Sequence, residues 1–321
     1  MLLCHAGASQ RRCSQRETGL AKSTNSKGSQ MSIVSAKEML LKATRERYAV
    51  GAFNVTSIVQ MQAVIEAAVN KRAPLIIQTS TAPARFFGPR VVVAVYRALA
   101  ERAPIPICLH LDHCTDVEFC KQCADAGYTN IMIDASKHPF EENLRQTKSV
   151  ADYCHALGDI SVEGELGTVG GVEDQVRVAE SEAELCQPED GVKFVERTGV
   201  DLFAPAIGTA HGIYQTATPK LDYDRLSKVF ELLNGKGPRV PLVVHGGTGL
   251  SADITRRLVA CGGAKFNVST ELKHTLLDTT FDYISSHREE YDPGKVDKAV
   301  RQATIRAIES WLDILGCAGK A

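Results

Sequence analysis

The chain has 321 residues, a formal net charge of −1, 44% hydrophobic and 6% aromatic residues. That length suits one large α/β barrel or two ordinary domains, and no apolar run approaches a membrane span. A near-neutral chain without clustered Lys and Arg lacks the electrostatic footprint of a nucleic-acid binder, so nucleic acid and membrane are excluded as partners.

Residues 1–31 are rich in Ser, Arg and Lys, hold one acid, Glu17, and show no apolar periodicity. They read as a disordered extension before a single domain over residues 32–321, and the chain as cytoplasmic. An organelle transit peptide is also Arg- and Ser-rich and acid-poor; it is the second reading, set back by weak amphipathicity.

From residue 48 onward, short apolar runs alternate with helix-period segments. The runs are Tyr48–Val55, Pro74–Ser80, Ile105–Asp112, Asn130–Ala135, Ile160–Leu166, Leu202–Gly208, Pro241–Gly246 and Ala264–Val268. Most are continuously apolar, as strands buried on both faces are. Between them lie patterns such as Ile58–Lys71, with apolar residues recurring at three and four. Strand–helix alternation implies parallel pairing through right-handed crossovers. Eight such units predict a (β/α)8 TIM barrel, with a doubly wound open sheet as the alternative. Two segments break the rhythm. Gly167–Pro188 is long, acidic and glycine-bearing, which in a compact domain marks a functional loop or lid. Beyond Tyr291 an Asp-Pro-Gly turn precedes an extra C-terminal helix, Lys295–Leu315, whose apolar face suits the barrel or a second subunit.

The ten cysteines do not form a disulfide framework in a chain this long. Cys120 and Cys123 make a CxxC inside an expected helix with no second pair, and read as ordinary thiols.

In a barrel the active site lies at the C-terminal ends of the strands. The polar residues Asn54, Ser80, Asp112, His113, Asp134, Glu163, Glu165, His211, His245 and Asn267 all fall there. His113, His211 and His245 end runs three, six and seven. Three protein ligands and one open position is the pattern of a catalytic zinc. Asp112 is adjacent to His113, yet alternation would send neighbours to opposite faces. Both reach one site if the strand ends near Asp112 and the chain turns, with Thr115 or Asp116 capping the next helix. His110 shares the parity of Asp112 and is expected one layer deeper. Gly246-Gly247-Thr248-Gly249 can form an anion nest before a helix, and Asn267-Val268-Ser269-Thr270 opens a helix in the same way. The loops after strands seven and eight are the usual phosphate site of this barrel; a plain turn is the alternative.

His-Leu-Asp-His (110–113), Val-Glu-Gly-Glu-Leu-Gly (162–167), Gly-Gly-Val-Glu-Asp (170–174), Ile-Gly-Thr-Ala-His-Gly (207–212), His-Gly-Gly-Thr-Gly (245–249) and Asn-Val-Ser-Thr-Glu-Leu-Lys (267–273) resemble, in family order, the class II zinc-dependent ketose-bisphosphate aldolases. These cleave fructose or tagatose 1,6-bisphosphate. The resemblance implies a barrel enzyme, a homodimer or homotetramer, with Zn2+ held by His113, His211 and His245. Asp112 would be the proton donor to the aldehyde oxygen, and Glu173, in a mobile loop, the carbon acid/base. Gly212, Gly246, Gly247, Thr248, Asn267, Val268, Ser269 and Thr270 would hold a substrate phosphate, with Asn54 and Ser80 near the substrate. Asp134 and Glu165 match positions that hold zinc in an alternative, inactive placement. Gly212 and the Gly246 loop match a monovalent-cation site (Na+ or K+) of some members.

Two departures bear on the substrate. Ser269 stands where the fructose-type branch often has Asp, and Asp-Pro-Gly stands where many members have Asp-Pro-Arg. The expected reaction is cleavage of fructose 1,6-bisphosphate to dihydroxyacetone phosphate and glyceraldehyde 3-phosphate, with tagatose 1,6-bisphosphate or a related ketose phosphate as the alternative. A Schiff-base aldolase using Lys265 and a non-catalytic metabolite-binding barrel are the competing readings.

Overall fold

The computed structural model describes residues 32–173, 176–178, 184–212, 214, 216, 219–237 and 239–321, without the side chains of 172–173 and 176–178. The extension expected over residues 1–31 lies outside the described residues.

Eight parallel strands close into a barrel: β1 (Val50–Asn54), β2 (Leu75–Ser80), β3 (Ile107–Cys114), β4 (Asn130–Ile133), β5 (Ser161–Leu166), β8 (Leu202–Pro205), β10 (Leu242–Val244) and β11 (Gly263–Val268). Each falls inside or overlaps one of the eight apolar runs. Closure is by β1 against β11, with Val50 opposite Lys265 and Phe53 opposite Val268. Nearly every strand residue is buried, because helices cover the outer face and side chains fill the inner one.

The helices follow their strands: α2 (Ile58–Lys71), the pair α3 (Thr81–Phe87) and α4 (Pro89–Ala100), α5 (Val117–Ala126), α6 (Phe140–Leu157), α7 (Pro188–Thr198), α8 (Tyr223–Asn234), α9 (Ala252–Ala260) and α10 (Thr270–Ser286). Their starts are written locally. Ser57, Asp116, Asp222 and Ser251 each accept a first-turn backbone N–H through the side chain. α1 (Ala36–Glu46) crosses the N-terminal mouth, where Ala36 N–H donates to Ser161 Oγ and Val34 N–H to Ile107 O. The extra helix α11 (Pro293–Ile314) packs on α2 and α10 and ties to β1 through Ala49 N–H and Leu315 O. No helix of the described residues is long and apolar enough to cross a membrane.

The long segment after β5 carries a hairpin, β6 (Gly170–Glu173) and β7 (Val176–Val178). β6 pairs in parallel with the short strand β9 (Ala210–His211), Gly171 opposite His211. The expected lid is thus anchored to a histidine-bearing segment. A Cβ on Gly171 would lie 2.2 Å from His211 O, so only glycine allows this approach.

Candidate active site

The three histidines meet at the C-terminal mouth. The His113 ring centroid lies 4.7 Å from that of His211 and 4.5 Å from that of His245. One ligand nitrogen from each lies within 4.8 Å of the others. His113 comes from β3, His211 from β9 beyond β8, and His245 directly follows β10.

The expected break in β3 after Asp112 is replaced by a bulge. Leu111 pairs with Ile131 and Cys114 with Ile133, so β3 spends one residue more than β4. His113 takes a left-handed backbone, φ +45°. An extra residue resets strand alternation, and both Asp112 and His113 turn to the barrel mouth while the strand runs on to Cys114.

The outer ring nitrogens are held by carboxylates. His113 Nδ1 lies 2.9 Å from Asp134 Oδ2, and His245 Nε2 lies 3.0 Å from Glu163 Oε1. His113 Nε2 is buried with no hydrogen-bond partner, and His245 Nδ1 lies 3.2 Å from Glu165 Oε2 but outside hydrogen-bonding geometry. A carboxylate on the far nitrogen of a histidine fixes the tautomer that offers the near nitrogen to a metal. These residues therefore fit a metal ion. Asp134 and Glu165 also converge with His113 as a second three-ligand group sharing that histidine.

Electrostatics follow from this packing. Burial depresses the His113 imidazole, but the carboxylates of Asp112, Asp134 and Glu165 outweigh it and hold the pKa well above the ordinary value. His245 is also raised: burial and His113 oppose protonation, and Glu163 and Glu165 overcome both. Burial, then the two neighbouring imidazoles, push His211 well below the ordinary value, so it is neutral. Burial would raise Asp112, yet His113, His110 and Lys265 hold its carboxyl well below the usual range.

Asp112 is caged by amides. Asn54 Nδ2 donates to Oδ2 at 2.9 Å, Gln78 Nε2 to the same oxygen at 3.3 Å, and Asn267 Nδ2 to Oδ1 at 3.0 Å. Asn54, Asp112, His211, Gly212, Gly246, Gly247, Thr248, Asn267, Ser269 and Thr270 line one cleft, which is nearly the whole expected phosphate set. Val268 does not line it, being fully buried in the core. Ser80 pairs with Asp112 across β2 and β3 but stands outside the cleft wall.

The anion nest differs in detail from expectation. Gly247 N–H is committed to Asn267 O at 3.0 Å, so the glycine turn does not offer an unbroken row of donors. A Cβ on Gly247 would lie 2.6 Å from that carbonyl, which is why glycine stands there. An unanswered hydroxyl stands instead at the start of α10, where Glu271 N–H is committed to Thr248 Oγ1. Ser269 makes no side-chain cap, and its Oγ is buried without a hydrogen-bond partner. A buried, unanswered hydroxyl at a helix N-terminus fits an anion.

The family model for class II fructose-bisphosphate aldolases matches residues 34–320. The chain belongs to the class II fructose-bisphosphate aldolase family. This aldolase is 40% identical over 294 residues to the fructose-bisphosphate aldolase of Geobacillus stearothermophilus, covering 91% of this chain and 99% of that one. Among solved structures it is similar to a putative fructose-1,6-bisphosphate aldolase from Coccidioides immitis, with TM-score 0.79, 32% identity, and 88% and 96% of the two chains covered. It is also similar to the YdjI aldolase from Escherichia coli K12, with TM-score 0.77, 29% identity, and 90% and 99% covered. The enzyme is thus a lyase of a metal-dependent family on a TIM barrel.

Glu173 ends β6 on the hairpin beside β9; its side chain lies outside the described residues. The aldolase also uses residues that sequence reasoning left without a role. Gln78 joins Asn54 Oδ1, at 2.6 Å, to Asp112. Tyr214 Oη accepts from Ala210 N–H at 3.0 Å and donates to Gly246 O at 2.8 Å, clasping the loops that carry His211 and His245. An amide inside an otherwise apolar run was the signal for Gln78; nothing in the local pattern marks Tyr214.

Proposed function

We propose that this aldolase reversibly cleaves fructose 1,6-bisphosphate to dihydroxyacetone phosphate and glyceraldehyde 3-phosphate, with Zn2+ held by His113, His211 and His245. The convergence of three imidazoles, two buried and one half-buried, beside a caged carboxylate and a helix-end anion cradle carries this reading. When bound, the metal supplies Lewis-acid stabilisation of the negative charge that cleavage leaves on substrate oxygen, worth several kcal/mol.

The protein's own groups do the rest. Asp112 is ionised, so in cleavage it takes the proton of the substrate hydroxyl that becomes the aldehyde, and returns it in condensation. Asn54, Gln78 and Asn267 aim that carboxylate. Gly212, Gly246 to Thr248, Ser269 and Thr270 bind the phosphate of the dihydroxyacetone half. Ser80 supports the substrate from beside Asp112. Glu173 is assigned the proton exchange at carbon, and its place on the β6–β7 hairpin lets water be excluded as the hairpin closes. Asp134 and Glu165, with His113, hold the metal in a second, inactive placement. Carbonyls near Gly212 and Gly246 are assigned a monovalent cation.

Leu277, Phe281 and Ile284 are exposed at 65%, 70% and 48% along one side of α10, which supports a homodimer or homotetramer. All eight described cysteines are unpaired, which supports a reducing, cytoplasmic compartment. Tagatose 1,6-bisphosphate is the second reading of the substrate, favoured by a neutral hydroxyl, Ser269, at the cradle.

Kinetics on fructose and tagatose 1,6-bisphosphates, with and without chelator, test this. We expect higher kcat/KM for the fructose compound, abolished by chelator and restored by zinc. Undiminished cleavage in chelator would sink the metal reading, and a preference for tagatose would overturn the substrate.

A further inference from the structure

His110, Glu163 and Lys265 are fully buried and have no role in the mechanism above. The geometry points to Lys265 as a positioning residue whose single ammonium fixes both halves of the reaction centre: the metal ligand His245 through Glu163, and the proton carrier Asp112 through Asn267. The inference rests on the roles just proposed for His245 and Asp112.

An ammonium has three donors and no acceptor, and burying it is costly unless each donor is answered. Lys265 Nζ hydrogen-bonds to Asn267 Oδ1 at 2.8 Å and His110 Nε2 at 3.4 Å, and forms an ion pair with Glu163 Oε2 at 2.9 Å that lies outside hydrogen-bonding geometry. The two close contacts have different consequences. Glu163 is a carboxylate bridge: Oε2 meets the ammonium, and Oε1 meets His245 Nε2 at 3.0 Å. Lys265 keeps that carboxylate charged and in place, so the imidazole presents Nδ1 to the metal position. Asn267 is an amide with two unlike ends. Lys265 takes its oxygen, which obliges its nitrogen to face Asp112 Oδ1 at 3.0 Å. Without the ammonium the amide can turn over and set its oxygen against the Asp112 carboxylate. Residues 265 and 267 share strand parity on β11, so one strand delivers both the anchor and the amide it orients.

The same contacts remove Lys265 as an imine-forming nucleophile. It is not in the cleft wall, and its nitrogen is fully buried and engaged by Asn267, His110 and the Glu163 carboxylate.

The test uses Lys265→Met, Glu163→Gln/Lys265→Met, Asp112→Asn and Asp112→Asn/Lys265→Met in the full chain. It reads kcat and KM at saturating zinc, zinc affinity of the metal-free protein by chelator competition, and the thermal midpoint. Lys265→Met is expected to lower kcat on the order of 10²-fold with KM little changed, as for a misaimed group. Zinc affinity is expected to fall about 10–100-fold, as when an outer-sphere partner is lost. Glu163→Gln/Lys265→Met removes the stranded carboxylate, restores the thermal midpoint and keeps kcat low, because Asn267 is still unanchored. In the Asp112→Asn background Lys265→Met should cost little further kcat but the same zinc affinity. Native kcat and zinc affinity in Lys265→Met, or in the double variant where the single one does not fold, would overturn the inference, as would losses additive with Asp112→Asn. Borohydride trapping of dihydroxyacetone phosphate on Lys265 would overturn it by making the lysine a nucleophile. Full cleavage by Asp112→Asn would overturn the role of Asp112 itself, whereas an inactive Asp112→Asn beside a native-like Lys265→Met overturns the Lys265 inference alone.

Discussion

Gly246→Ala places a methyl group between the two loops that carry the proposed metal ligands His211 and His245. Gly246 has φ +69°, and a Cβ there would lie 2.3 Å from Ala210 O and 2.8 Å from its carbonyl carbon. Ordinary C···O approach is about 3.3 Å, so the loops must part by about 1 Å. Ala210 precedes His211 and Gly246 follows His245, so the parting falls on the proposed ligand pair. The left-handed backbone costs alanine about 1–2 kcal/mol. Strain on the two Tyr214 hydrogen bonds that clasp these loops, at 3.0 and 2.8 Å, adds about 1 kcal/mol each. The metal-free protein should therefore lose roughly 3–4 kcal/mol. Metal distances tolerate only about 0.2 Å, so zinc affinity should drop, and kcat/KM should fall about 10²-fold, as for a 1 Å misplacement. Gly199→Ala is the control: φ is +73° at the end of α7, and nothing lies within 4 Å of its Cβ. It should show the backbone cost alone. Urea melts of metal-free and zinc-loaded protein, zinc titration and steady-state kinetics compare the two. Zinc affinity in Gly246→Ala indistinguishable from that in Gly199→Ala would refute the argument from close approach.

Three further outcomes are expected. In the metal-free site the raised His113 and His245 pKa values contribute stability that is present below about pH 6.5, the ordinary imidazole value, and is lost as pH rises through the raised values. Zinc needs the neutral rings, so the gain in Tm on adding zinc should grow as pH rises; a constant gain would refute this. Phe194→Ala should cost about 3–5 kcal/mol in chemical denaturation, because Phe194 is fully buried against Phe203, at 5.7 Å between ring centroids; a cost below 1 kcal/mol would mean the barrel wall collapses around the gap. Phe281→Asp should shift the protein to a smaller species in light scattering without lowering kcat of the isolated subunit, and an unchanged mass would remove α10 from the interface.

The barrel was legible because parallel strands covered on both faces leave long apolar runs, and polar residues at their ends stand out. His113, His211 and His245 were visible for that reason. The bulge that lets Asp112 and His113 share a site was not, since a non-glycine residue at φ +45° carries no residue-type signature. The commitment of Gly247 N–H to Asn267 was also hidden. A glycine turn looks the same in sequence whether its donors face a ligand or a neighbouring strand. The β6–β7 hairpin lay within a segment whose acidity and length signalled a lid but not a strand pairing. That pairing depends on β9, only two residues long, which is below any periodicity.

Barrel interiors are usually filled by branched apolar side chains, whereas this one places Gln78, His110, Asn130, Glu163 and Lys265 at its centre, all fully buried. Replacing buried ionic groups by apolar ones of like volume often stabilises a protein, so stability does not account for them. The network leads upward to groups at the mouth. Gln78 and Asn267 reach Asp112, Glu163 reaches His245, and Lys265 joins the two. Asn130 Nδ2 lies 2.6 Å from His110 Nδ1, which sets the ring that lies 3.7 Å from both Asp112 and Glu163. Rotamers locked from beneath hold a reaction centre to the fraction of an ångström that proton transfer and metal ligation require. Polar layers in a barrel core are therefore best read as the foundation of the site above them, and their connectivity shows which mouth residues work as a unit.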